Sequence, residues 1–140
     1  MRTGLRIEDL GGFLDEPLVA VLATYRTDGS VLLSPVWHEW RDGGFQIWTG
    51  ANDVKTRHLR RDPRASVLLA ESAIPLRGVE VRGEPEIVTD GAMETAVRIA
   101  GRYLGAEAGA EYVRTAGGND VIIRLEPGEL RVWDFADEYD

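Results

Sequence analysis

Cysteine is absent from the sequence. That absence excludes disulfides, thiolate zinc sites and cysteine nucleophiles, and it removes any redox clue to compartment. Long apolar runs are also missing; none approaches the ~20 residues that a membrane helix needs. The opening stretch, Met1 to Leu10, has no apolar signal core, so a cytoplasmic protein with no membrane partner is expected. Lysine is nearly absent: Lys55 is the single one, and all other basic residues are arginines. Positive charge is in the minority, with 16 Lys and Arg against 24 Asp and Glu and a formal net charge of −8. A phosphate-backbone binder carries a basic face, so this balance argues against nucleic acid. Gly117-Gly118 lacks the strand–loop–helix context of a nucleotide fingerprint, and no Ser-His-Asp order stands out. His38, read as lying at an exposed strand end, and His58, in a basic helix, are the only histidines. They do not form the converging set a metal needs, so no metal is expected. A proton-donating role remains open for His38.

What is present is enough for one globular domain over residues 1–140. The chain is 44% hydrophobic and 29% charged, and a domain this long buries roughly two-thirds of its unfolded surface. Arg6 to Leu14 reads as a short helix or turn. Pro17 to Thr24 is nearly continuously apolar, which predicts a strand buried on both faces. Asp28-Gly29 and Asp42-Gly43 are hairpin signals, because Asp-Gly tolerates positive φ. They bracket a second strand, Val31 to Trp40, and precede a third, Phe45 to Thr49, so three adjacent antiparallel strands are expected. Asn52 or Asp53 can cap a helix ending near Arg61, before Asp62-Pro63. Ala65–Ala70 is a fourth strand, and Arg77–Val88 a half-exposed one with Val79 and Val81 inward. Asp90 can cap a helix whose Met93, Ala96, Val97, Ala100 and Leu104 fall at helical spacing. A further helix near Ala106–Arg114 and strands Val121–Leu125 and Leu130–Phe135 complete the chain. Six or seven strands, mostly hairpin-connected, with two or three helices predict a mainly β, antiparallel barrel with flanking helices.

Two places carry chemistry. Lys55, Arg57, Arg60, Arg61 and Arg64 cluster within an acidic chain. One reading is a phosphate site: a helix N-terminus supplies N–H donors and a positive dipole end, Thr49 a hydroxyl, Lys55 a compact charge and Arg57 a forked contact. The other is a solvated helix face with weak surface ion pairs. In the second strand, Pro35 removes a ladder donor and so marks an edge or a bulge. Backbone groups freed at an edge can hydrogen-bond a planar ligand that presents both donors and acceptors, or the strand can simply end a sheet. Trp37 and Trp48 can stack near a ring or fill a core.

The segment from Val21 through Thr27-Asp-Gly-Ser30 to Ser34-Pro-Val-Trp-His38 resembles the opening hairpin of the pyridoxamine 5′-phosphate oxidase-like superfamily. Trp48-Thr-Gly-Ala-Asn-Asp-Val-Lys55, running on to Asp62-Pro63-Arg64, looks like its phosphate-binding strand and helix, and Val79-Glu-Val-Arg-Gly-Glu-Pro85 like the strand that follows. The nearest likeness is to the branch that uses the deazaflavin coenzyme F420. The arginine-rich ending of true pyridoxamine oxidases is missing. The resemblance implies a split β-barrel, an FMN-binding type of fold, assembled as a homodimer with cofactor at the interface. It implies an oxidoreductase that moves a hydride between deazaflavin and a small conjugated substrate, with FMN as alternative cofactor and a non-enzymatic flavin carrier as alternative function. It implies ring contacts at Ser34, Pro35 and Val36, with Trp48 beside them. Phosphate contacts fall to Thr49, Lys55 and Arg57. Arg60 and Arg61 would meet the acidic tail of the deazaflavin, unless they belong to a solvated face.

Overall fold

The computed structural model describes residues 1–139, and its fold is a mainly β split barrel of two antiparallel sheets with flanking helices. Two short 3-10 turns, Ile7–Leu10 and Phe13–Asp15, precede β1 (Ala20–Tyr25). The chain continues through β2 (Val31–Val36), β3 (His38–Arg41), β4 (Gly44–Gly50), α1 (Val54–Arg61), β5 (Ala65–Ala70), β6 (Gly78–Gly83) and β7 (Glu86–Val88). Helices α2 (Ala92–Leu104) and α3 (Ala106–Ala116) and strands β8 (Asp120–Leu125) and β9 (Glu129–Trp133) follow. One sheet runs β2-β1-β5-β6-β9 and the other β3-β4-β8-β7.

Two predicted strands turn out to be pairs of strands. Val31 to Trp40 breaks at Trp37, so β2 joins the first sheet and β3 the second; Arg77 to Val88 breaks at Glu84-Pro85 in the same way. The expected row of three adjacent strands is therefore replaced by two separate hairpins, β1–β2 and β3–β4. Alternation alone cannot show a strand leaving one sheet for another, because the inward face stays inward across the corner. The first strand starts at Ala20 rather than Pro17, and only one of its faces is fully buried.

The core lies between the sheets. Leu22, Val67, Leu69, Val79 and Val81 face Phe45, Ile47, Ile123 and Leu125, all inaccessible, and Phe13 closes one end. Burying each such side chain stabilises by about 1.5–3 kcal/mol relative to exposure. The reverse side of the four-stranded sheet is covered by α2 through Ala92 and Ile99 on Ile122. Gly91, at φ 68°, caps α2 rather than Asp90, and Met93 and Leu104 are exposed while Ile99 is buried. Residues at helical spacing can define either of two stripes; here the stripe of Ala92, Ala96, Ile99 and Ala100 won.

Side-chain bonds tie α2 to the barrel. Arg98 forks onto the buried Glu39 at 2.5–3.1 Å, and Gln46 donates to the same carboxylate at 2.7 Å. Tyr103 donates to the Leu18 carbonyl at 2.7 Å and accepts from the His38 N–H at 3.1 Å. Helix α3 packs on α2 at unusually close range: a Cβ on Gly109 would fall 2.5 Å from the Gly101 nitrogen. Among the described residues, no helix is long and apolar enough to cross a membrane.

Candidate functional site

Strand β4 ends beside the start of α1, and that junction opens into a cleft of about 390 Å³. β2 contributes Pro35 and Val36, the crossover Trp37, β4 Trp48, Thr49 and Gly50, and the turn into α1 Asp53 and Lys55. α3 closes the far side with Tyr112 and Ala116, and Asp120 lies beyond it. One end is aromatic. Tyr112 packs edge-on against Trp48 and tilted against Trp37, ring centroids 5.7 Å apart in each case. Trp37 in turn stacks on Tyr103 at 4.8 Å. The Trp48 indole nitrogen is buried and finds no acceptor among the described residues. A buried N–H without a partner is uncommon and calls for an explanation.

The other end is polar. The Thr49 hydroxyl, the Gly50 N–H and the Lys55 ammonium all donate to one oxygen of Asp53, at 2.7, 3.3 and 3.2 Å. The Thr49 bond chiefly, then those from Gly50 and Lys55, hold the Asp53 carboxyl below the usual carboxylate range. Thr56 fastens the junction by donating to the Gly50 carbonyl at 2.8 Å.

Of the residues named from the sequence, Pro35, Val36, Trp48, Thr49 and Lys55 line this cleft. Ser34 does not: it sits in register with Leu22, on the face of β2 turned toward the core. Arg57 and Arg60 are exposed on α1 outside the lining. Arg61 donates to the Tyr25 carbonyl, and Arg64 forks onto Asp62 at 2.8 and 2.7 Å while lying 4.5 Å over the Tyr25 ring. β2 is an edge strand. His38 is no exposed strand end. It is fully buried beside Phe45 and Tyr103, and burial chiefly, with Arg102 adding, lowers its pKa to about 4. It is neutral at pH 7 and away from the cleft lining, which removes it as a proton donor. Tyr112, Asp53 and Asp120 were not foreseen. Only Asp53, as a helix cap, carried any signal.

The sequence profile of the pyridoxamine 5′-phosphate oxidase family matches residues 8–134. The chain belongs to that family. Among solved structures, it resembles a conserved hypothetical protein from Mycobacterium tuberculosis at 30% identity and TM-score 0.81, covering 94% of this chain and 86% of that one. A structure described as an F420 reductase is similar at 26% identity and TM-score 0.69, covering 85% of this chain and 93% of that one. An FAD- and heme-binding protein from Mycobacterium smegmatis shares the fold, at 17% identity and TM-score 0.70, over 94% of this chain and 72% of that one. No curated protein matches. The family places this chain among flavin-type cofactor folds, and the cleft is its candidate cofactor site.

Proposed function

We propose that this protein is an F420-dependent oxidoreductase that transfers a hydride between the deazaflavin and a small conjugated substrate. The observation that carries the reading is the two-ended cleft: an aromatic wall at Trp37, Trp48 and Tyr112 runs into converging donors at Thr49, Gly50 and Lys55. A fused ring joined to a phosphate has that polarity. The residues fit the group in two respects. The unpartnered Trp48 N–H is a donor that a ring heteroatom would satisfy, and Lys55 offers a charge-assisted contact to a phosphate oxygen. Similarity to an F420 reductase supports the deazaflavin.

In this reading the edge of β2 at Pro35 and Val36 lies along the ring, and Thr49 and Lys55 hold the phosphate. Arg57 and Arg60, exposed on α1, meet the acidic tail beyond it. The bound cofactor supplies the two-electron chemistry. The chain positions it, and Trp37, Trp48 and Tyr112 exclude water from one side. FMN would use the same donors. The protein works as a homodimer. Val31, Leu33, Val21, Leu68 and Pro35 share the outward face of the first sheet, with Leu33 64% exposed. A contiguous apolar face of this kind marks a self-complementary contact. Pro35 belongs both to that face and to the cleft, so a second copy seated there would complete the cofactor site.

Spectrophotometric titration with F420 and with FMN, followed by turnover of the reduced cofactor with a panel of enones, tests the reading. Saturable F420 binding with oxidation by an enone supports it. Binding without turnover on any acceptor favours a carrier, and tighter FMN binding moves the FMN alternative ahead.

A further inference from the structure

We infer that Asp53 is a charge-selecting residue of the cleft, favouring a singly charged phosphodiester over a doubly charged phosphomonoester at the donors it shares. The inference rests on the reading of those donors as a phosphate site. Thr49, Gly50 and Lys55 converge on a single oxygen of Asp53, so the chain's own carboxylate already holds the three donors that a phosphate oxygen would use. The carboxylate lines the cleft rather than pointing away from it. It lies close against the backbone because residue 50 is glycine; a Cβ there would come within 3.0 Å of the second Asp53 oxygen.

The balance of charge in the cleft follows. Among the described residues its lining holds one cation, Lys55, against two carboxylates, Asp53 and Asp120. Asp120 is engaged by the Gly118 N–H at 3.1 Å. An incoming anion therefore gains hydrogen bonds from the Thr49 hydroxyl, the Gly50 N–H and the Lys55 ammonium but meets a lining whose net charge is negative. Each additional negative charge on the ligand is repelled in proportion. A phosphodiester carries one such charge at neutral pH. A phosphomonoester carries close to two, because its second pKa is about 6. The phosphate of F420 is a diester, extended by its lactyl tail, and that of FMN is a terminal monoester. Asp53 thus distinguishes the two cofactors by the charge on the phosphate group beside it, the carboxylates of the deazaflavin tail lying beyond that group.

The test uses two small anions, dimethyl phosphate and methyl phosphate, at pH 8, titrated into the full-length nitrogen-15-labelled protein while the Gly50 amide signal is followed. Wild type should bind dimethyl phosphate at least as tightly as methyl phosphate. In Asp53→Asn, methyl phosphate should tighten by roughly threefold to tenfold and dimethyl phosphate by distinctly less. Dispersed amide spectra verify that the near-isosteric variant is folded. Asp53→Asn that weakens both anions by a similar factor would show that the carboxylate only positions Lys55 and Thr49. An unchanged ratio, or a Gly50 signal unmoved by either anion, also overturns the inference. If F420 binds wild type while the anion ratio ignores Asp53, the proposed function stands and this inference falls. If the anions order as expected but F420 does not bind, the proposed function falls alone.

Discussion

The two ends of α1 carry cations of the same sign and put them to different uses. At the last turn Arg61 is spent on the Tyr25 carbonyl, and Arg64, just beyond, on Asp62 and the Tyr25 ring. At the first turn Lys55 faces a cleft that the described residues leave open between β2 and α3. Between them His58 is buried, sharing a 3.0 Å hydrogen bond with the Thr24 hydroxyl. A basic helix is therefore not a binding site along its length. Each cation takes its role from what the fold places past its end of the helix: the β1 strand at one end, and the Asp53 carboxylate and the cleft at the other.

Acid gives the largest expected effect on that arrangement, because both ends rest on a frame that buries two histidines. His38 has a folded pKa of about 4 against an ordinary value of 6.5. Its folded pKa is depressed, so as pH falls through 6.5 the unfolded chain takes up a proton that the folded chain refuses. Stability should be level above about pH 6.5 and fall toward pH 4, by about 3 kcal/mol from His38. His58 is shifted the same way, by burial first and then by Arg61, Arg26 and Arg57, and adds to the loss. Urea unfolding at pH 7.5 and pH 5 measures it, and equal stabilities would contradict the buried, neutral assignment of His38.

Gly109→Ala attacks the open end from its far wall. The new Cβ would meet the α2 backbone at 2.5–2.7 Å, so the helices must part, costing about 1–3 kcal/mol. Tyr112 and Ala116 ride on α3, so cofactor affinity should fall along with the melting temperature. Arg61→Ala should separate the two effects: a loss of about 0.5–1.5 kcal/mol in stability, from one hydrogen bond, with affinity nearly unchanged. An affinity loss without a stability loss would reverse the comparison and restore Arg61 as a tail contact. The smallest effect belongs to Arg60→Ala, which should reduce the preference for F420 over FMN by a few tenths of a kcal/mol at low salt and by less at high salt. A salt-independent change would mean that Arg60 acts through structure.

The sequence made the family and most elements legible, because Asp28-Gly29, Asp42-Gly43 and Asp62-Pro63 mark boundaries by local backbone chemistry. β5 falls at Ala65–Ala70, as its apolar run implied. The corners at Trp37 and Glu84-Pro85 were not legible, since a change of sheet leaves the inward pattern intact. At the site, Thr49 and Lys55 were visible because strand end and helix start are adjacent in sequence. Tyr112 was not. It comes from α3, more than fifty residues downstream of Lys55, and only the packing of α3 on α2 through Gly109 brings it over Trp48. The role of Arg61 was not legible in sequence, because the carbonyl that claims it belongs to Tyr25, a residue far from it along the chain.

The most direct test of the open end of α1 as a cofactor site is an equilibrium titration of wild type and Lys55→Ala with F420, followed by quenching of tryptophan fluorescence. Trp37 and Trp48 line the cleft and should report occupancy. The expected result is saturable quenching in wild type and a dissociation constant raised roughly tenfold to a hundredfold in the variant, the loss of about 1.5–3 kcal/mol for one charge-assisted contact, with an unchanged melting temperature. Quenching that does not saturate in wild type, or a dissociation constant that Lys55→Ala leaves unchanged, would contradict it.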